Sequence, residues 1–166
     1  MTGIKDSGER YEFETGAVRD IQEGKGRCDL MPLDIIAEVL GYSGDIKSCL
    51  ENINAFIETK DKTFLIKSLY DFIEFNYGNS REGYLKAVIE LSKHFEEGAG
   101  KYGEGNWKKG IPVHCYIDSG VRHFLKRAAG ETDEPHGRAF MWNIVCCIWT
   151  LEHKPEMNDM KGTENK

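Results

Sequence analysis

The chain has 166 residues, 40% apolar and 30% charged, which suits one soluble globular domain and excludes a disordered or fibrous chain. With 22 lysines and arginines against 28 aspartates and glutamates, its net charge is -6. That balance argues against a nucleic-acid polymer as ligand, because such binding is mostly neutralisation of phosphates by cations; a small phosphorylated ligand needs only one local basic cluster.

Residues 1–11 are polar and mixed in charge and do not read as a signal peptide. Thr15-Gly16-Ala17-Val18-Arg19-Asp20 and Gly24-Lys25-Gly26-Arg27 read as loop. Pro32 then opens a helix with Leu33, Ile36 and Leu40 on one face, ended by Gly41. Ile46, Leu50, Ile53 and Ile57 keep helical spacing, as do Leu65, Leu69, Phe72 and Ile73 after Asp61. The segment 41–80 therefore reads as a helical hairpin inserted into a larger bundle. Leu85, Val88, Ile89 and Phe95 mark the next helix, closed by the glycines from Gly98 to Gly103. Pro112 opens a helix carrying Tyr116, Ile117, Phe124 and Ala128, closed by Gly130. Pro135 opens the last, with Ala139, Phe140, Ile144, Cys147, Ile148 and Leu151 on its apolar face. No window shows sustained strand alternation with hairpin turns, so the fold class is all-α, a bundle of about six helices. Residues 155–166 have no apolar face and read as a flexible tail after a single domain over 1–154.

The longest apolar run, Ile144 to Trp149, is far short of the roughly 20 residues a bilayer needs. The five cysteines are odd in number and show neither disulfide-framework nor CxxC spacing. They read as reduced thiols of a cytosolic protein, with no structural zinc.

Chemistry concentrates in three places. Glycines beside Lys25 let backbone N–H groups approach an anion, with Lys25 and Arg27 adding charge, unless this is a flexible turn with solvated cations. Around the Gly98–Gly103 turn, Glu90, His94, Glu97 and Lys101 step by four, three and four along one helix face, with Glu96 beside them. Such carboxylates suit Mg²⁺ shared with substrate phosphates, or else form a solvated face. Tyr102 and Trp107 offer flat surfaces for a base, or plug a core. In the last third, Asp118 and Arg122 are four apart, His123 follows, and Glu131, Asp133 and Glu134 precede His136, with Asn143 two turns further on. Polar groups amid Phe140, Trp142 and Ile144 must be hydrogen-bonded or face a cavity.

Taken in order, these motifs resemble the phage dATP/dGTP diphosphohydrolase (pyrophosphohydrolase) family, itself similar to the MazG-like all-α nucleoside triphosphate pyrophosphohydrolases. The pieces are Thr15 to Asp20, Gly24 to Pro32, Gly98-Ala99 with Lys101-Tyr102-Gly103 and Asn106-Trp107, Asp118 with Arg122-His123, and His136 with Trp142-Asn143. The resemblance covers about residues 10–40 and 84–153 and omits 41–80. It implies a MazG-like bundle, a homodimer or higher homo-oligomer, acting on a purine nucleotide in the cytoplasm of a phage's host. It implies Mg²⁺ on Glu96, Glu97 and Asp133 with support from Asp118 and Glu131. His123 and His136 would act as acid and base or touch phosphate. Lys25, Arg27, Lys101 and Arg122 would meet phosphates, and Tyr102, Asn106, Trp107 and Asn143 would hold the base. The chain departs from the MazG pairing of ExxE with ExxD. A non-catalytic sponge that sequesters a nucleotide-derived host immune signal is therefore an alternative. It predicts acids turned to solvent and cations lining a cavity. A structural helical adaptor, the third reading, predicts no enclosed polar pocket.

Overall fold

The described residues form six α-helices: α1 (Leu33–Val39), α2 (Gly44–Thr59), α3 (Thr63–Tyr77), α4 (Arg81–Tyr102), α5 (Val113–Ala128) and α6 (His136–His153). The computed structural model describes residues 3–4, 6, 8–41 and 44–160. Pro32, Pro112 and Pro135 stand immediately before α1, α5 and α6, where a missing N–H costs nothing. Before α3, the Asp61 carboxylate accepts from the Thr63 N–H at 2.9 Å. At the start of α4, the Ser80 hydroxyl accepts from Gly83 N–H. Gly83 lies so close to the end of α3 that a Cβ there would sit 2.4 Å from the Tyr77 carbonyl oxygen.

The protein is an all-α bundle. Its core is built around α5 and α6, where Tyr116, Ile117, Phe140 and Ile144 are fully buried. Phe72 of α3 packs on Phe140 and Phe124 with ring centroids 4.8 and 6.4 Å away. Leu50, Ile53 and Phe56 of α2 join the same core. The hairpin of α2 and α3 thus shares the central core with the helices around it. All five cysteines are free thiols, four of them buried. No described helix is long and apolar enough to cross a membrane.

Three features differ from the sequence expectation. Arg10–Glu12 (β1) and Val18–Asp20 (β2) form a two-stranded antiparallel ribbon, with Tyr11 opposite Arg19. Each strand has three residues, too few for alternation to register. Second, α4 runs through Gly98 and Gly100 to Tyr102, so the turn expected at Gly98–Gly103 is helix as far as Tyr102. Its buried face carries Gly83, Ala87 and His94, while Leu85, Val88 and Ile89 point outward, more than half exposed. Third, of the expected flexible tail, residues 155–160 pack on the bundle and 161–166 lie outside the described residues. Pro155–Met157 form a 3-10 turn, and Met160 packs against the core.

The tail is held by a polar clasp. Asp159 accepts from the His114 backbone N–H at 3.0 Å and pairs with the His114 ring. The neighbouring Cys115 sulfur and the Asp159 carboxylate lift the His114 pKa from 6.5 to about 9. The folded chain therefore keeps a proton that the unfolded chain releases. This stabilisation is complete below pH 6.5 and fades as pH rises towards 9. For a part-exposed pair it amounts to about 1 kcal/mol or less. We expect His114→Gln to lower the unfolding midpoint at pH 6 and to leave it unchanged at pH 9.5; thermal melts at the two pH values measure the difference.

Candidate functional site

A cavity of about 590 Å³ opens between the helices and the ribbon. The period of α5 sends Ser119, Arg122, His123 and Lys126 into it, at i, i+3, i+4 and i+7. Facing these, α6 supplies Ala139, Trp142 and Asn143, and α4 supplies His94, Gly98 and Tyr102. The ribbon and the glycine loop close the remaining side with Arg19, Asp20, Gly24 and Lys25. Asp133 and Glu134, on the turn from α5 to α6, also line it, as do Asp6, Val18, Gln22 and Asn106.

Polar contacts fix each wall. Asp118 is fully buried in α5 and accepts from the Cys28 N–H at 2.6 Å. Both of its oxygens also accept from Arg122, at 3.1 Å. Arg122 donates onward to the Gly26 carbonyl at 2.9 Å, so one guanidinium joins α5 to the glycine loop. Asn106 clamps β2 with two hydrogen bonds: its side-chain oxygen accepts from Val18 N–H at 2.9 Å, and its amide donates to the Val18 carbonyl at 3.0 Å. Asp20 accepts from Lys101 at 2.7 Å and from the Tyr102 hydroxyl at 2.9 Å.

These anchors place Arg19. Its guanidinium donates to the Asn143 side-chain oxygen at 3.0 Å and lies over the rings of Tyr116 and Trp142. The Nη1 atom is buried without a partner. Lys25 faces the same space, and its burial lowers its pKa against the pull of Asp20. Opposite, the His94 ring packs on Trp142 with centroids 5.7 Å apart. Burial, followed by the charges of Arg138 and Arg19, holds His94 down to about 4, so it is neutral at neutral pH.

The other end of the cavity carries paired imidazoles. The Nδ1 atoms of His123 and His136 lie 2.9 Å apart, and His136 Nε2 lies 2.8 Å from Asp133 Oδ1. His136 is almost fully buried. Burial, then the neighbouring His136 and Arg122, pushes His123 down to about 3. In the tautomer whose Nε2–H donates to Asp133, the His136 Nδ1 lone pair is directed towards His123.

Of the expected site residues, the structure brings Lys25, Tyr102, Asn106, Arg122, His123, Asp133 and Asn143 to one cavity, with His136 directly behind His123. The others lie elsewhere. Arg27 turns away to Asp29, donating at 2.7 and 2.6 Å. Trp107 packs edge-on against Phe95 and Trp149 and plugs the core. Lys101 sits behind Asp20 as its partner. The five carboxylates expected to hold Mg²⁺ do not form one cage. Glu96 is exposed, Glu97 pairs with Arg138 at 3.3 Å, and Asp118 is taken up by Arg122 and Cys28. Glu131 meets Lys126 at 3.4 Å, though it also stands near Asp133 and His136.

Arg19, His94 and Trp142 are site residues that the sequence reading did not assign. A signal for Trp142 existed: His136, Ala139 and Asn143 share one face of α6, and Trp142 borders it. For Arg19, local sequence held no signal beyond the loop motif, because its setting is made by α5 and α6.

The dATP/dGTP diphosphohydrolase N-terminal family matches residues 72–160. The chain belongs to this family. The match runs from within α3 through α6, so it contains the helical walls of the cavity, both histidines and Trp142. The ribbon and glycine loop, which also carried the resemblance, lie outside the matched residues. No curated protein and no solved structure matches the chain.

The contacts of Asp118 predict a structural role. Removing one partner of a buried ion pair strands the other charge, at a cost of about 3–5 kcal/mol. Asp118→Ala should lose that much stability in urea unfolding, whereas Glu96→Gln on the exposed face of α4 should stay within about 0.5 kcal/mol of the parent.

Proposed function

We propose that this chain is a purine (deoxy)nucleoside triphosphate pyrophosphohydrolase whose active site is the 590 Å³ cavity. Family membership supports this reading, and one observation carries it. The buried, unpartnered Nη1 of Arg19 shares the cavity with Lys25, Arg122 and the aromatic face of Trp142. A nucleotide has the complementary parts, a polyphosphate for the cations and a flat base for the ring. Asn106 and Asn143 have both ends of their amides engaged by protein, so they position β2 and Arg19, and the base is left to Trp142 and His94.

In the proposed reaction, water attacks the α-phosphorus, the bond to the bridging α–β oxygen breaks, and pyrophosphate leaves. Arg19 and Lys25 hold the phosphate oxygens as negative charge builds on the leaving group. Within the cavity these contacts are screened less than in bulk water. A divalent ion bound at such a site supplies further neutralisation of phosphate charge. The proposed setting is the cytoplasm, where five free thiols stay reduced. A helical adaptor would have no use for a cavity with this polar lining; the sponge remains the second reading, favoured by the dispersed carboxylates, with Glu96 exposed and Glu97 on Arg138, and by the cations that line the cavity.

The proposal includes a homo-oligomer. Leu85, Val88 and Ile89 form an outward stripe at helical spacing on α4. Ion pairs of both signs flank it, Glu82 with Lys86 and Glu90 with Lys93. A second copy running antiparallel would meet opposite charges beside its own stripe, covering apolar surface that water disfavours.

Two measurements test these readings. With dATP, dGTP and a panel of other triphosphates plus divalent ions, we expect monophosphate and pyrophosphate from purine substrates. Arg19→Met should reduce kcat/KM by at least about 100-fold, the scale of a lost charged contact in a dry site. Intact nucleotide bound tightly with no product would overturn the enzyme reading. In light scattering after size exclusion, the parent should exceed the 18.9 kDa of one chain, and Val88→Glu with Ile89→Glu should return it to that mass.

A further inference from the structure

We infer that His123, His136 and Glu134 form a binding site for a first-row transition-metal dication, with Asp133 positioning one ligand, in place of the Mg²⁺ cage of carboxylates that the sequence suggests. A ligand atom from each of the three lies within 4.8 Å of the others. The chemistry of the donors selects the ion. Mg²⁺ demands oxygen ligands in near-ideal octahedral geometry, whereas imidazole nitrogens suit Mn²⁺, Co²⁺, Ni²⁺ and Zn²⁺. Two imidazoles and one carboxylate also leave coordination positions open for water or a phosphate oxygen.

The surroundings support this assignment independently of the donor count. The two Nδ1 atoms face each other at 2.9 Å, so both rings turn a ligating nitrogen to the same point. On its far side, His136 is held by Asp133 at 2.8 Å, the arrangement in which a carboxylate fixes the ring of a ligating histidine. The nearby cations are already balanced, Arg122 by Asp118 and Lys126 by Glu131. The cluster lies in the wall of the same cavity as Arg19 and Lys25, so an ion there would share phosphate oxygens with them. That last role rests on the nucleotide reading; the metal site itself does not.

The test uses untagged protein and Co²⁺ alone. Titration should give one equivalent bound, with visible d–d absorption from a low-symmetry nitrogen and oxygen site, and competition by Zn²⁺ but not by Mg²⁺. His123→Gln and Glu134→Gln should each weaken Co²⁺ binding at least tenfold with thermal melts unchanged, and Asp133→Asn should weaken it by about 10–100-fold. His114→Gln controls for the separate His114 and Cys115 pair and should leave binding unaltered. No Co²⁺ binding, or binding lost in His114→Gln but kept in His123→Gln, overturns the inference. Pyrophosphate release supported by Mg²⁺ without Co²⁺ binding would sink the metal site and leave the nucleotide reading intact. Co²⁺ bound as described, with no nucleotide turned over, would do the reverse.

Discussion

The site depends first on one buried ion pair. Asp118 has no exposure to water, and a carboxylate so placed costs several kcal/mol unless its oxygens are fully engaged. Arg122 from the same helix and the Cys28 N–H from the loop engage both. Because Arg122 also donates to the Gly26 carbonyl, the pair serves as a rivet between α5 and a segment with no regular structure around Gly24–Arg27. The glycine loop has little apolar side chain with which to pack. Charge and backbone hydrogen bonds hold it where hydrophobic burial cannot, and Lys25 is carried over the cavity as a result.

The ribbon is attached by the same kind of physics. Asn106 grips both backbone groups of Val18, the Thr15 hydroxyl donates to the Gly110 carbonyl, and Asp20 receives Lys101 and Tyr102. Each contact joins residues far apart in sequence. Directional bonds of this sort fix orientation more tightly than apolar packing does, and orientation is what Arg19 needs to lie over Tyr116 and Trp142 while holding Asn143. Apolar burial adds to these bonds, with Ala17 fully buried in the core and Phe13 packed against it.

How far the sequence foretold this differs between elements, and the reasons are physical. Pro32, Asp61, Pro112 and Pro135 mark helix starts through local rules that survive any tertiary setting. The inward face of α4 was not legible, because Leu85, Val88 and Ile89 look more like core than Gly83, Ala87 and His94. Closeness to α3 at Gly83 and contact with Trp142 at His94 decide the matter, and both come from other helices. Within the site, Arg122, His123 and His136 were legible because polar residues in an apolar helix must find partners. The tryptophans were not: Trp107 has polar neighbours in sequence, Asn106 and Lys108, and Trp142 has apolar ones, yet Trp107 packs on Phe95 and Trp149 while Trp142 lines the cavity. The carboxylates were the least legible, since an acid that binds a metal and an acid that binds an arginine have the same spacing.

That last ambiguity explains how an acidic chain can accommodate a polyphosphate. Asp118 and Asp20 adjoin the cavity, yet each is matched by a cation, Arg122 or Lys101, within hydrogen-bonding distance. At the short range that matters in a low-dielectric cavity, each such pair is close to neutral and repels a phosphate little. Arg19 has no carboxylate partner among the described ion pairs, and it commits one nitrogen to a neutral amide. Its charge is therefore left without a matching anion beside the cavity. Asp133 and Glu134 sit apart, on the turn that bears His136, where negative charge would draw a metal ion and not bar a nucleotide. The sign of the whole chain, -6, therefore does not describe the part of the cavity around Arg19 and Lys25. What a ligand meets is set by the few charges the fold leaves unmatched.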